Sequence, residues 1–345
     1  MPWFRTSESA GSALDASAVL SPAARALDVV LEASVVGSFS KIGPALRRRS
    51  AHWDEPRAAA CRVIVVTGAT SGLGLAAATE LSRLGAHVCI VGRDRRRTED
   101  ARRRIEVAAR AAVTSEVADF LDLDQVVDLA DRLGDRLGRI DGLVHNAGAL
   151  FRSRQTSPQG IEATVTLHVL APYILTERLR PILARSAAAR VITMTSGGMY
   201  TQRFELGNLV ADDDGYDGVI AYARAKRAQV VLTQEWQRRH GPSGVDFHVV
   251  HPGWADTPGL AAGLPTFARA FHPLLRSASE GVDTLVWLAG SPAGTPTGGG
   301  LWLDRRRRGE YYLPWTWVPP SRRAIDGVQL WEWCRDHLEP PRRRR

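Results

Sequence analysis

Tyr222 and Lys226 stand four residues apart in the run Tyr-Ala-Arg-Ala-Lys. On a helix that spacing places the phenol and the ammonium one turn apart on one face. A free tyrosine, with a pKa of ~10, is a poor acid or base near neutrality. A neighbouring cation favours the phenolate, so the pair can exchange a proton with an alcohol or carbonyl oxygen. Lys226 is one of two lysines, with Lys41, among 45 basic residues. Ser196 ends the run Val-Ile-Thr-Met-Thr-Ser, where its hydroxyl can hydrogen-bond the oxygen that Tyr222 protonates. Its alternative role is to close the strand as a turn residue.

A second constellation is built to hold phosphate. Four β-branched residues, Val63, Ile64, Val65 and Val66, read as a strand buried on both faces. Thr67-Gly68-Ala-Thr70-Ser71-Gly72-Leu73-Gly74 follows, and Leu73, Ala77, Leu81 and Leu84 then carry helical spacing. Strand, glycine turn and helix together aim backbone N–H groups and a helix dipole at an anion. Gly68 permits the sharp turn, while Gly72 and Gly74 let a pyrophosphate and the sheet come close. Two further strand ends share this layer, Asn146-Ala147-Gly148 and His251-Pro252-Gly253-Trp254 with Thr257 beyond. Asp119 and Phe120, after a third strand, complete the cofactor-binding candidates.

The elements that position these groups alternate. Strands are expected at 86–91, 113–117, 140–144, 190–194, 245–250 and 300–303, after the one at 63–66. Helices are expected at 95–110, 122–137, 160–184 (interrupted near Pro172 and Pro181), 219–240 and 280–289. Such alternation implies right-handed crossovers and a parallel sheet covered on both sides.

Composition narrows the class. Of 345 residues, 44% are apolar and 24% charged, as in an ordinary globular protein, with a net charge of +8. The basic runs at 47–49, 95–97, 102–104, 305–308 and 342–345 lack interleaved aromatics, so they read as solvated surface rather than a nucleic-acid footprint. Cys61, Cys89 and Cys334 show neither a metal spacing nor a disulfide framework, which fits a reducing cytoplasm and a site without metal. No stretch of ~18 apolar residues predicts a membrane span, and no secretory signal opens the chain.

Thr67-Gly-x-x-x-Gly-x-Gly74, Asn146-Ala-Gly148, Ser196, Tyr222-x-x-x-Lys226 and Pro252-Gly253 occur in the order found in the short-chain dehydrogenases/reductases, a family this chain resembles over about 60–303. Within it, the runs 190–199, 226–233 and 251–259 are similar to the orphan branch called member twelve. The resemblance implies a single Rossmann-type doubly wound parallel sheet of about seven strands and a nicotinamide cofactor. It also implies Ser–Tyr–Lys catalysis of hydride transfer on a small-molecule alcohol or carbonyl substrate. A cofactor-binding but catalytically idle scaffold is the alternative reading. His168 stands where the family often has a catalytic Asn. It either supports a proton-relay water or is a core histidine satisfied by a backbone carbonyl. Tyr222 follows Ser196 by 26 residues, about twice the family gap, so 200–218 is expected as a hairpin or loop beside the substrate.

The end of the second strand decides the cofactor. An NAD enzyme places a carboxylate there for the ribose 2′-OH. Here Gly92 takes that place and Arg93 follows, able to fork onto a 2′-phosphate, with Arg95 as a second cation. NADP(H) is therefore expected over NAD(H), and Asp94 is expected to cap the next helix.

Three segments make up the chain: an extension (1–56), a catalytic domain (57–303) and a Trp/Arg-rich tail (304–345). In the extension Leu27, Leu31, Val35 and Phe39 form one helical stripe, which either packs on the protein or lies on a membrane surface as a peripheral contact. A flap at 259–277 should turn Leu260, Leu264 and Phe267 toward an apolar substrate. Five tryptophans follow Leu301 and either pack a C-terminal helix (322–338), close the site, touch lipid, or join a homodimer or homotetramer.

Overall fold

The computed structural model describes residues 21–51, 53, 59–209, 215–290 and 298–337. Three helices come first: α1 (Pro22–Ala33), α2 (Val35–Phe39) and α3 (Ile42–Ala51). The alternation then runs β1 (Val63–Thr67), α4 (Gly72–Arg83), β2 (His87–Gly92), α5 (Arg95–Glu106), β3 (Val113–Val117), α6 (Leu123–Arg136) and β4 (Gly142–His145). A helical rod follows, made of α7 (Ala163–Val165), a π-helical turn (Thr166–Leu170) and α8 (Ala171–Leu183). β5 (Ala189–Met194) leads through a 3-10 turn (Gly197–Thr201) and α9 (Leu206–Leu209) to the long α10 (Gly218–His240). The rest is β6 (Val245–Val250), α11 (Pro258–Gly263), α12 (Pro265–Phe271), α13 (Ala278–Gly290), β7 (Leu301–Leu303), β8 (Arg306–Arg308) and α14 (Pro320–Arg335).

All eight strands form one sheet, ordered β3-β2-β1-β4-β5-β6-β7-β8. Neighbours are parallel as far as β7, giving the doubly wound Rossmann-type sheet. The strand order reverses between β1 and β4, where Val66 lies opposite Val144. Open α/β sheets bind ligands at such a point, outside the carboxyl ends of the strands. Successive side chains of each strand serve opposite layers. Val65, Leu143 and Val191 pack under α6, α8 and α10, with Trp236 fully buried among them. Ile64, Val66, Val144 and Ile192 pack under α4, α5 and α13.

Four features differ from the sequence expectation. The sheet has an eighth strand, β8, antiparallel to β7. Arg307 is exposed, but its two neighbours are not simply solvated: Arg306 and Arg308 both pair with Asp28 of α1, at 2.6 and 2.9 Å. Paired charges can leave water where isolated ones cannot. Prolines do not break the rod after β4: Pro172 has no N–H to offer the preceding turn, and the His168 carbonyl, four residues back, accepts from the Gln229 side-chain amide at 3.0 Å, while Pro181 sits inside α8. The irregularity is instead the π turn. Finally, the described residues of 200–218, expected as a hairpin or loop beside the substrate, form the end of a 3-10 turn, a short helix and loop, and none of them lines the cleft below. Tyr200 is drawn under the sheet end, its hydroxyl donating to the Gly309 carbonyl at 3.2 Å. Asp212–Asp214 lie outside the described residues.

Trp302 and Trp331 are core residues, the latter edge-on to Tyr173 at 5.1 Å, whereas Trp315 and Trp317 are exposed. Among the described residues no helix is long and apolar enough to cross a membrane, and no cluster could hold a metal ion.

Candidate active site

A cleft of about 640 Å³ opens along the carboxyl ends of the strands. Its floor is braced by Thr67, the last residue of β1. The Thr67 hydroxyl donates to the Val144 carbonyl (3.0 Å) and accepts from the N–H groups of Asn146 (3.0 Å) and Ala147 (3.1 Å). Asn146 answers with its side-chain amide, donating to the carbonyls of Thr67 and Gly68. These two residues thus fix the turns that the ligand meets. Gly68 has φ +66°, and a Cβ there would stand 2.6 Å from Ala147 Cα. A Cβ on Gly74 would stand 2.4 Å from the Asn146 amide nitrogen. Thr70, Ser71, Gly72 and Leu73 line the cleft at the start of α4, whose first-turn N–H groups have no helical acceptor.

At the adenosine end, a Cβ on Gly92 would lie 2.1 Å from Thr98 Oγ1 and 2.5 Å from Thr70 Cγ2. No carboxylate fits there. Arg93 lines the cleft, and Asp94 caps α5 by accepting from the Arg97 N–H at 2.8 Å, as its position predicted. Arg95 does not line the cleft; the second cation is Arg97, and the four-residue spacing from Arg93 was the available signal. Asp119 and Phe120 complete this end, with Asp119 accepting from the Leu121 N–H.

At the other end Ser196, Tyr222 and Lys226 converge. The Tyr222 and Ser196 hydroxyls are hydrogen-bonded, and Lys226 Nζ lies 5.5 Å from the Tyr222 ring centre. Nζ donates to the Met194 carbonyl at 2.9 Å. Burial, with no carboxylate beside it, pushes the Lys226 ammonium down to about 7. Burial also raises the Tyr222 phenol, and the Ser196 hydrogen bond opposes that rise. The lysine was expected to lower the phenol; with Lys226 itself pushed down by burial, the phenol stands above its ordinary value and Ser196 is the group that opposes the rise.

His168 occupies the π turn, its ring edge-on to Tyr222 at 5.3 Å. Its Nδ1 pairs with the Thr164 carbonyl (2.8 Å), and its Nε2 accepts from the Ala149 N–H (3.3 Å). The ring is therefore neutral with Nδ1 protonated, and burial holds its pKa well below the usual value. Of the two sequence readings, these partners match the satisfied core histidine. Gly148 lies between: a Cβ there would be 3.0 Å from His168 Nε2 and 3.7 Å from Lys226 Nζ, so its absence keeps space beside the ammonium.

Pro252, Gly253 and Trp254 close the site from β6. Gly253 has φ +72°, and its missing Cβ makes room for the Arg276 guanidinium, with which a Cβ there would collide. Thr257 caps α11, accepting from the Leu260 N–H at 3.1 Å. Leu260, Leu264 and Phe267 of the flap face the cleft as expected. Val35 and Phe39 of α2 also line the cleft, a role the sequence reading did not give them.

A parallel sheet with a nucleotide-sized cleft at its switch point is the frame of a Rossmann-type oxidoreductase. The short chain dehydrogenase family model matches residues 62–264, and the chain belongs to that family. Over 254 residues the chain is 35% identical to human dehydrogenase/reductase SDR family member 12, covering 73% of this chain and 79% of that protein. A protein of Streptomyces sp. (strain C5), provisionally named daunorubicin C-13 ketoreductase DnrU, is 41% identical over 247 residues, 71% of this chain and 84% of its own. Among solved structures, a Beutenbergia cavernae protein provisionally described as an NAD(P)-dependent gluconate 5-dehydrogenase, with NADP bound at low occupancy, superposes with a TM-score of 0.61. It is 26% identical and covers 72% of this chain and 97% of that one.

Proposed function

We propose that the protein transfers hydride between NADP(H) and an uncharged, apolar alcohol or carbonyl compound. The observation that carries this reading is the convergence of Ser196, Tyr222 and Lys226 at one end of the cleft, with arginines 93 and 97 at the other. Arg93 and Arg97 suit a 2′-phosphate, and Gly92 leaves no carboxylate to repel one. The NADP held by the Beutenbergia relative, and the ketoreductase name of the Streptomyces one, support the same reading.

The nicotinamide, when bound, supplies hydride to the carbonyl carbon or takes it back. Tyr222 gives its proton to the substrate oxygen, which Ser196 holds by a second hydrogen bond. Lys226, beside the space left by Gly148, orients the ribose and, when charged, favours the phenolate left behind. Thr67, Asn146 and the glycines shape the pyrophosphate turn, while Ala147, Pro252, Trp254 and Thr257 bound the nicotinamide. Among the described residues the charged lining is confined to Arg93, Asp94, Arg97, Asp119 and Lys226, so the substrate end holds Lys226 alone, here assigned to the ribose, and offers a charged substrate no further partner. A lipid surface as a peripheral contact would meet Val29 and Val30, 60% and 67% exposed on α1; flotation of full-length protein with liposomes reads it, and protein left at the bottom rejects it.

Tyr222→Phe tests the mechanism. It should cut turnover roughly a hundredfold or more, the scale of general acid–base catalysis, while NADPH affinity holds. Normal turnover in that variant would remove Tyr222 from the proton path.

A further inference from the structure

The family match begins at residue 62, yet the wall beside Ser196 is made by residues before it. Gly197, next to Ser196, has no side chain, and a Cβ there would lie 3.6 Å from the Phe39 ring. Phe39 packs against His251 in a tilted contact at 4.5 Å and meets Trp254 edge-on at 6.2 Å. Trp254 in turn meets Phe267 of the flap edge-on at 5.1 Å. A continuous aromatic ledge therefore runs from the catalytic serine to the flap. Val35, one turn before Phe39, also lines the cleft and is 50% exposed.

This wall is fastened rather than merely adjacent. The Trp254 N–H donates to the Phe39 carbonyl at 2.7 Å. Arg276, fully buried at the base of the flap, donates to the carbonyls of Ser38 (2.6 Å), Phe39 (3.0 Å) and Ser40 (3.2 Å). Asp304 neutralises Arg276 and also takes Arg47 of α3 at 2.5 Å. The flap and the extension thus share one set of anchors.

We infer that α2 is part of the substrate site, with Val35 and Phe39 as specificity-determining residues that select an uncharged, ring-containing carbonyl or alcohol. Aromatic side chains bind flat apolar bodies by offset or edge contacts, and the charged lining residue at this end, Lys226, is assigned to the cofactor ribose rather than to the substrate. The inference rests on the oxidoreductase reading for its carbonyl, but the wall can be tested separately.

The probe is 6-propionyl-2-dimethylaminonaphthalene, an uncharged aryl ketone whose emission reports its surroundings. It is titrated into full-length protein saturated with NADP+. Wild type should bind it with a blue shift. Val35→Asp and Val35→Trp should weaken binding roughly tenfold or more, one by placing a charge on the wall and the other by filling the space. Val36→Asp, at an exposed neighbour outside the cleft, should leave probe binding within about twofold, and NADP+ affinity should hold in all three variants to the same margin. No probe binding by wild type, no loss in the Val35 variants, or an equal loss in Val36→Asp overturns the inference. Loss of NADPH absorbance with the same ketone reads the reaction. Binding that survives Tyr222→Phe without turnover in wild type keeps the wall and counts against the proposed chemistry.

Discussion

Gly92 shows how a single missing side chain sets cofactor choice. The place where an NAD enzyme keeps a carboxylate is filled from the sides by Thr98 and Thr70, so an acid there would have to displace both. Arg93 and Arg97 remain at the rim, and neither is in an ion pair among the described residues. A guanidinium that forks onto a phosphate contributes two charge-assisted hydrogen bonds that a ribose hydroxyl cannot return. NADPH should therefore bind at least tenfold tighter than NADH, a difference of about 1.4 kcal/mol. Arg93→Ala should erase most of that preference, and Arg97→Ala should erase part of it. Gly92→Asp should lose NADPH without gaining NADH, because the strain falls on the fold. Fluorescence titration of both cofactors against the three variants checks the set. Equal binding of NADH and NADPH by wild type would remove the role given to these arginines.

The π turn does at the level of an element what Gly92 does at a residue. One extra residue per turn at Thr166–Leu170 places the His168 ring between Thr164 and Ala149, beside the turn that carries Gly148. His168→Leu removes the acceptor of the Ala149 N–H, a loss on the order of 1 kcal/mol, and should raise KM for NADPH more than it lowers kcat. His168→Gln, whose amide oxygen can accept, should restore KM. Because burial keeps His168 neutral, the pH–rate profile of His168→Gln should match wild type; an unmoved KM in His168→Leu sinks the positioning role. The strand ends were legible in the sequence because each is a local pattern: a β-branched run, then glycine, asparagine or a hydroxyl. The Tyr222–Lys226 pair was legible by its spacing. The π turn left no periodic trace, since Thr-Leu-His-Val-Leu fits a regular helix equally well. The extension left only a stripe, Leu27 to Phe39, which says that one face packs and not what it packs on. Asp28 and Glu32 share a face by their spacing, but besides Arg47 they meet Arg308, some 280 positions away and beyond any local signal.

Asp304 ties the whole molecule together, and its loss should be felt far from the cleft. With Arg305 it forms the two-residue turn between β7 and β8, both at positive φ (53° and 56°), a conformation that costs a non-glycine residue on the order of 1 kcal/mol or more. Its carboxylate, 2% exposed, holds Arg276 from the flap and Arg47 from α3. Burial alone would raise its pKa, but Arg276 and Arg47 outweigh burial and hold it below the usual carboxylate range. Asp304→Asn keeps the shape and takes the counter-charge from the buried Arg276, while Arg47 keeps Asp28 and Glu32. Removing one partner of a buried pair costs about 3–5 kcal/mol, far more than the net worth of the pair. The urea midpoint should fall accordingly at an unchanged m-value. Glu80→Ala, at an exposed pair with Arg83, should cost less than about 1 kcal/mol. The pH dependence has a definite sign. Between the depressed folded pKa and the unfolded value of ~3.9, the unfolded chain binds more protons, so the contribution grows with pH across that window. It is complete above ~4 and lost as the pH falls through the folded pKa. The gap between wild type and Asp304→Asn should thus be constant from neutrality down to about pH 5 and close only in stronger acid. A gap that closes near neutrality, or a midpoint unmoved by Asp304→Asn, would mean that extension, flap and tail are held together by something other than this carboxylate.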